Sequence, residues 1–253
     1  MEPASLASWG RACAGATMRI VPGRSRAARA RRFVRIVLLC AALLAGSGCA
    51  SERDQAVRNI FELWEGPYAL FVSKSEFTMY VYGRDLSVVE RYKVAVGLNP
   101  DTLAKLCADD DRTPEGEYRI LEIWSMDAAP DSPSYRKMAR YNQVYFRAKD
   151  GHYRYGQPSV DLGDNVYGPR FYLLDYPNGK DRARYEAALK EGKIPVVRGK
   201  PSLIGHGIAI HGNNDEASIG HNATSGCVRM YNRDIVQLER YIQVGTPVII
   251  SAR

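Results

Sequence analysis

The sequence predicts a mainly β domain, a β-rich α+β chain built as a β-sandwich or partly closed sheet with a few short helices. Three observations carry this. Apolar residues alternate with period two in the first half, as in Phe77, Met79 and Val81 against Thr78, Tyr80 and Tyr82. Clusters of Gly, Pro, Asp and Asn interrupt the runs at short intervals. Helical spacing is clear in two stretches, both in the second half.

The elements follow in order. The period-two signal begins at Tyr68, and 77–82 is a strand that turns at Gly83-Arg84-Asp85 and returns over 86–96 as a hairpin. Gly97 and Pro100 end it. An acidic loop leads to Arg112-Thr113-Pro114-Glu115-Gly116, a tight turn feeding a strand that runs to Ile123. Residues 124–206 read as a long insertion rich in Tyr, Asp, Gly and Pro, with short strand-like runs at 143–147 and 170–174. Within it Asp181 is placed to cap a helix whose face holds Tyr185, Ala188 and Leu189 and which Gly192 stops. Asn232 is placed to cap a second helix through Ile235, Leu238, Tyr241 and Ile242 that ends at Gly245, and 246–250 forms the closing strand.

The first 48 residues read as an export signal. Eight arginines and one acid occupy this stretch, and Ile36 to Ala45 is an apolar run too short to span a bilayer. Met18 is the candidate start, because the residues before it have no export logic. Gly46-Ser47-Gly48-Cys49 resembles a bacterial lipobox, which implies a diacylated Cys49, a tether over 49–67 and a folded body over 68–253. That body would sit on the periplasmic side of the envelope, with the outer membrane favoured over the inner. The competing reading is an ordinary secretory signal with an incidental cysteine.

The chain's formal charge of +7 belongs to this leader. Taking the leader's eight basic residues and one acidic residue from the chain's 35 and 28 leaves 27 of each. A formally neutral body removes the argument for a nucleic-acid partner. The sequence also shows no internal repeat and no Gly-rich phosphate loop.

One stretch can do covalent chemistry. His211 closes the alternating run Ile208, Ile210, and Cys227 follows sixteen residues later in Thr224-Ser225-Gly226-Cys227-Val228-Arg229-Met230. A thiol is a nucleophile as its thiolate, and an imidazole in hydrogen-bond contact takes its proton. Gly226 lets backbone approach a carbonyl, so the amides of Gly226 and Cys227 are candidate oxyanion donors. Arg229 offers a planar fork for a carboxylate, or a brace for the loop. Zinc on His206, His211, His221 and Cys227 is the competing reading, although the spacing contains no paired metal-ligand motif. Cys107, in a polar loop, has no assigned role.

His-Gly followed at this distance by Ser/Thr-x-Gly-Cys-x-Arg-Met resembles the signature of the L,D-transpeptidase catalytic domain (YkuD-type), a family of cysteine enzymes of bacterial peptidoglycan. Arg112-Thr113-Pro114-x-Gly116-x-Tyr118 adds to the likeness, which covers about 68–250. Ser225 departs from it, standing where many relatives carry a second histidine. The resemblance implies Cys227 as nucleophile and His211 as base, with Gly212, Thr224, Ser225 and Arg229 facing substrate and no cofactor or metal. It implies cleavage of a peptidoglycan stem-peptide amide after the third residue, with transfer of the acyl group to an amine. That amine would cross-link the wall or attach an envelope protein. Tyr176-Pro177-Asn178, with Asp181 after it, is similar to a phrase of one branch of the family that includes hydrolases, so hydrolysis on the same site stays open. A cell-wall-binding module without turnover is the third reading.

Overall fold

The computed structural model describes residues 52–101, 103–144 and 153–253. The leader, Cys49 and the run at 145–147 lie outside the described residues. Thirteen strands and four α-helices are described. β1 (Tyr68–Ser73), β2 (Thr78–Gly83), β3 (Val88–Gly97) and β4 (Gly116–Ser125) precede α2 (Pro133–Val144), and a further helix, α1, covers 52–63. Two small hairpins, β5 (Tyr153–Arg154) with β6 (Gln157–Asp161) and β8 (Val196–Val197) with β9 (Lys200–Pro201), flank β7 (Arg170–Leu174) and α3 (Gly179–Lys190). β10 (Ala209–His211), β11 (Asn222–Thr224), β12 (Val228–Met230), α4 (Asn232–Leu238) and β13 (Pro247–Ser251) complete the chain.

The main sheet closes. Its order β11-β3-β12-β10-β7-β4-β13-β1-β2 is joined end to end by a β2–β3 pairing, so eight strands form a ring and β11 is added beside β3. β3 makes this possible through its length. Its first residues pair with β2 (Thr78 opposite Lys93) and its last with β12 (Met230 opposite Val94). Alternate residues of every ring strand point inward, among them Leu70, Val94, Ile120, Tyr172, Ile210 and Val228, all buried. Ile235 and Leu238 of α4 are also fully buried in this cluster.

The outer face carries separate packing layers. Ala69 and Phe71 of β1 and Ile249 of β13 pack against Val57, Ile60 and Phe61 of α1. β1 is therefore apolar on both faces, which is why its run is nearly continuous. On another part of the surface Trp124, Phe171 and Ala209 pack with Met138 of α2. Burying a side chain such as Phe171 contributes about 2–3 kcal/mol.

Several expectations need correction. Residues 52–63 of the expected tether are a packed helix, because Val57, Ile60 and Phe61 share one face. The stretch 124–206 is only partly an insertion, since β7 is a ring strand between β4 and β10. Positions 143–144 are helical rather than extended. Asn178 caps α3, accepting from the amides of Lys180 and Asp181, while Asp181 closes the reciprocal bond to the Asn178 amide at 3.1 Å. Leu189 lies outside the buried face of that helix at 41% exposure. Asn232 opens α4 without capping it, and α4 ends at Leu238 in a tighter turn over Glu239–Tyr241, well before Gly245.

Candidate active site

β10 and β12 run parallel, with Ile210 opposite Val228 and His211 opposite Arg229. Paired residues in a sheet share a face, and successive residues alternate. Ile208, Ile210, Val228 and Met230 therefore belong to the interior, while Ala209, His211, Cys227 and Arg229 stand on the outer face. Two short strands thus bring the predicted thiol, imidazole and guanidinium to one surface.

His211 is buried at 3% exposure. Its Nδ1 lies 2.5 Å from the Gly212 carbonyl, which can only accept, so the proton sits on Nδ1 and Nε2 is the basic nitrogen. Tyr167 meets the ring edge-on with centroids 4.9 Å apart, and Phe171 lies nearly parallel to it at 5.8 Å. The loop after His211 is braced by Asn232. Its Oδ1 accepts the Asn213 amide at 2.7 Å and its Nδ2 donates to the Asn213 carbonyl at 2.8 Å.

Cys227 is half-buried and its thiol donates to the Gly207 carbonyl at 3.6 Å. Burial pushes the thiol pKa up; the Ala209 amide and the charges of Arg229 and Lys105 act against this. The turn before it is held by Thr224, whose Oγ1 donates to the Cys227 carbonyl at 2.7 Å and accepts the Gly226 amide at 3.1 Å. That bond corrects one expectation. The Gly226 amide, one of the two expected oxyanion donors, is already bonded to Thr224 Oγ1. Gly226 itself is required by shape. Its φ is +132°, and a Cβ there would approach the Arg112 carbonyl to 2.8 Å and Ile208 Cδ1 to 2.9 Å. Ser225 is exposed at the tip of the turn.

Arg229 is 6% exposed and donates through Nη1 to Ser218 Oγ at 2.9 Å. Burial pulls its pKa down against the opposing Asp215 carboxylate. In this arrangement it braces the turn at Glu216–Ser218, and its Nε has no partner among the described residues. His206 and His221 are exposed, His221 stacking on Tyr155 at 4.7 Å. Among the described residues no three His, Cys, Asp or Glu side chains are grouped to hold a metal.

A cleft of about 610 Å³ opens beside Gly207, the residue whose carbonyl receives the thiol hydrogen. Trp124, Tyr141, Phe171 and Tyr176 give it an aromatic lining, and Lys137, Arg140 and Arg182 line it as well. Tyr176 and Pro177 of the Tyr-Pro-Asn phrase form part of one wall. Tyr176 donates to the Ile204 carbonyl at 3.0 Å, and Asp181 accepts from the buried Tyr118 hydroxyl at 2.9 Å. Sequence reasoning missed Tyr167, Phe171, Asn213 and Lys105 as parts of this site. The Asn213-Asn214 pair directly after His-Gly was the available signal for the loop brace.

Comparison with known proteins fits this geometry. The family model of the YkuD L,D-transpeptidase catalytic domain matches residues 67–250. The chain belongs to that family. YqjB of Bacillus subtilis is 29% identical over 142 residues, 56% of this chain and 53% of its own length. Among solved structures, Bd1075 of Bdellovibrio bacteriovorus is similar with a TM-score of 0.44 and 21% identity over 74% of this chain and 49% of that one. Pgp2 of Campylobacter jejuni, a helical cell shape determining protein, has a TM-score of 0.42 and 18% identity over 72% and 46%. The chain spans about half the length of these three proteins. The family match covers both β10 and β12.

Proposed function

We propose that the chain is a cysteine acyltransferase acting on peptidoglycan stem peptides. The observation that carries the proposal is the shared outer face of Ala209, His211, Cys227 and Arg229 on the parallel β10–β12 pair. His211 Nε2 takes the thiol proton. The Cys227 sulfur attacks the carbonyl carbon of the third stem residue, while the Cys227 amide holds the developing oxyanion. The C–N bond then breaks, the imidazolium proton goes to the leaving amine, and a thioester remains. An incoming amine attacks the thioester, His211 accepts its proton, and the sulfur leaves as the product amide forms. The residues alone supply this chemistry.

Hydrolysis is the second reading, and one observation favours it. The Tyr176-Pro177 wall, part of the phrase shared with the branch that includes hydrolases, lines the cleft beside the thiol's acceptor Gly207. The choice depends on whether the acceptor side of the cleft positions an amine or admits water. Incubating the full chain with disaccharide-tetrapeptides, with and without an added amine acceptor, and reading products by mass spectrometry decides it. Dimers or amine exchange support transfer. Tripeptide alone, or release only of a protein-linked muropeptide, makes the chain a hydrolase, and no turnover of any of these refutes both readings.

The same reading puts the chain at the bacterial envelope on the periplasmic side, anchored by lipid at Cys49. Each buried CH₂ of an acyl chain contributes about 0.8 kcal/mol. Cys49→Ser is expected to release the chain from the membrane fraction or stall its processing, and an unmodified mature N-terminus in the soluble fraction would refute the anchor.

A further inference from the structure

Lys105 lies between β3 and β4, more than a hundred residues before the thiol, yet its side chain is 3% exposed and reaches the catalytic turn. A Cβ placed on Gly226 would lie 3.5 Å from its Nζ, and the Arg112 carbonyl of the same loop packs on the same glycine. Nζ is 2.8 Å from Asp110 Oδ1. Removing two charges from water is costly, so a buried pair of this kind needs an explanation beyond stability.

Holding the loop does not supply that explanation. Asp110 already accepts the amides of Leu106 at 2.6 Å and of Cys107 and Arg112 at 3.1 Å each, and the Arg112 guanidinium lies 3.8 Å away. The carboxylate is therefore satisfied, and the loop shaped, without the lysine. The ammonium, in contrast, carries three donors, and among the described residues its hydrogen bond is the one to Asp110.

The charged and titratable groups around the thiol come from every side. His211 and Arg229 share its sheet face, Tyr167 lies over His211, Asp215 opposes Arg229, and Lys105 approaches from the loop. Arg229 is tied to Ser218. Both cations favour the thiolate, Arg229 the more strongly, and Lys105 is the one that reaches the Gly226 side of the turn from the loop.

We propose that Lys105 is a positioning residue of the acyl-transfer site, an ammonium that acts through Cys227 by stabilising negative charge at the Gly226–Cys227 turn. The charge sits first on the sulfur and then on the tetrahedral oxygen; the second role rests on the acyl-transfer reading, the first on the thiol alone. No new bond is involved, since the proton still passes from sulfur to His211.

The test is the rate of Cys227 alkylation by iodoacetamide as a function of pH, read by mass spectrometry on the full chain, a measurement independent of turnover. A neighbouring charge moves a titration by about one unit or more. Lys105→Met is expected to displace the profile upward by about one pH unit and slow alkylation at pH 7 about tenfold, whereas Lys105→Arg stays within about threefold of the wild type. Superimposable wild-type and Met profiles overturn the proposal. Lys105→Gln reads the same way should the Met variant not fold, and failure of both neutral variants to fold assigns the lysine to the loop's structure and also overturns it. The shift in the Met variant, together with a wild-type chain that turns over no muropeptide, refutes the acyl-transfer reading and leaves the lysine's effect on the thiol standing.

Discussion

His211 and Arg229 face each other across the parallel β10–β12 ladder, and Cys227 lies two residues before Arg229 on the same face. The proposed base and nucleophile are therefore set on one face by backbone register, with loops supplying only the support. Turnover is expected to vanish in Cys227→Ser and to fall by about a thousandfold or more in His211→Ala, because a nucleophile and its base act as one unit. Cys107, 1% exposed, is expected to react far more slowly with iodoacetamide than Cys227. Peptide mapping after brief alkylation at neutral pH checks this, and equal labelling would contradict it.

Gly226→Ala tests the turn. A side chain at φ +132° is strained by about 1–3 kcal/mol, and it also drives the Arg112 carbonyl and Ile208 apart. Urea unfolding is expected to show a loss of that size, with thioester formation slowed at least about tenfold.

Asn232→Ala tests the brace behind the base. It leaves the Asn213 amide and carbonyl without their partner, and Asn213 is 1% exposed. An orphaned buried group costs about 1–3 kcal/mol. A lower unfolding midpoint is expected together with a lower kcat, since the same bonds hold the loop that follows His211.

Part of the chain's acid sensitivity is expected to lie in the loop that carries Lys105. The Arg112 guanidinium beside Asp101 holds that carboxyl below the usual carboxylate range. A depressed folded-state pKa gives stability that is present above the unfolded value, near 4, and lost as pH falls through the folded one. Asp101→Asn should therefore be less stable than wild type at pH 7, with the difference closing towards pH 3. Urea midpoints at pH 7, 5 and 3 measure it, and a difference that is constant with pH would refute the assignment.

The hairpin, the closing strand and the His–Cys pair were legible because their signals are local. Period-two alternation places Ile208, Ile210 and His211, and turn residues bound the strands. Asx residues were less legible. Asn178 and Asp181 are three apart, and either can cap a helix from sequence alone; the structure uses Asn178 as cap and sends Asp181 to Tyr118. Asn232 precedes an apolar helical pattern and so looks like a cap, but its amide is taken by Asn213. Lys105 had no local signal at all, because the glycine it approaches lies 121 residues further along the chain.

The alternation along β10 and β12 divides neighbouring residues between two faces: Ile210, Val228 and Met230 fill the barrel, while His211, Cys227 and Arg229 stand on the outer face where the chemistry is proposed. Point changes at His211 and Cys227 should cost activity and leave folding largely intact. Changes in chain length behave differently. Deleting one residue between Gly207 and His211 moves every later side chain of β10 to the opposite face, turning the imidazole inward and an isoleucine outward. Indels in these two strands should therefore be far less tolerated in a selection than substitutions, with the reading frame of the sheet as the conserved quantity.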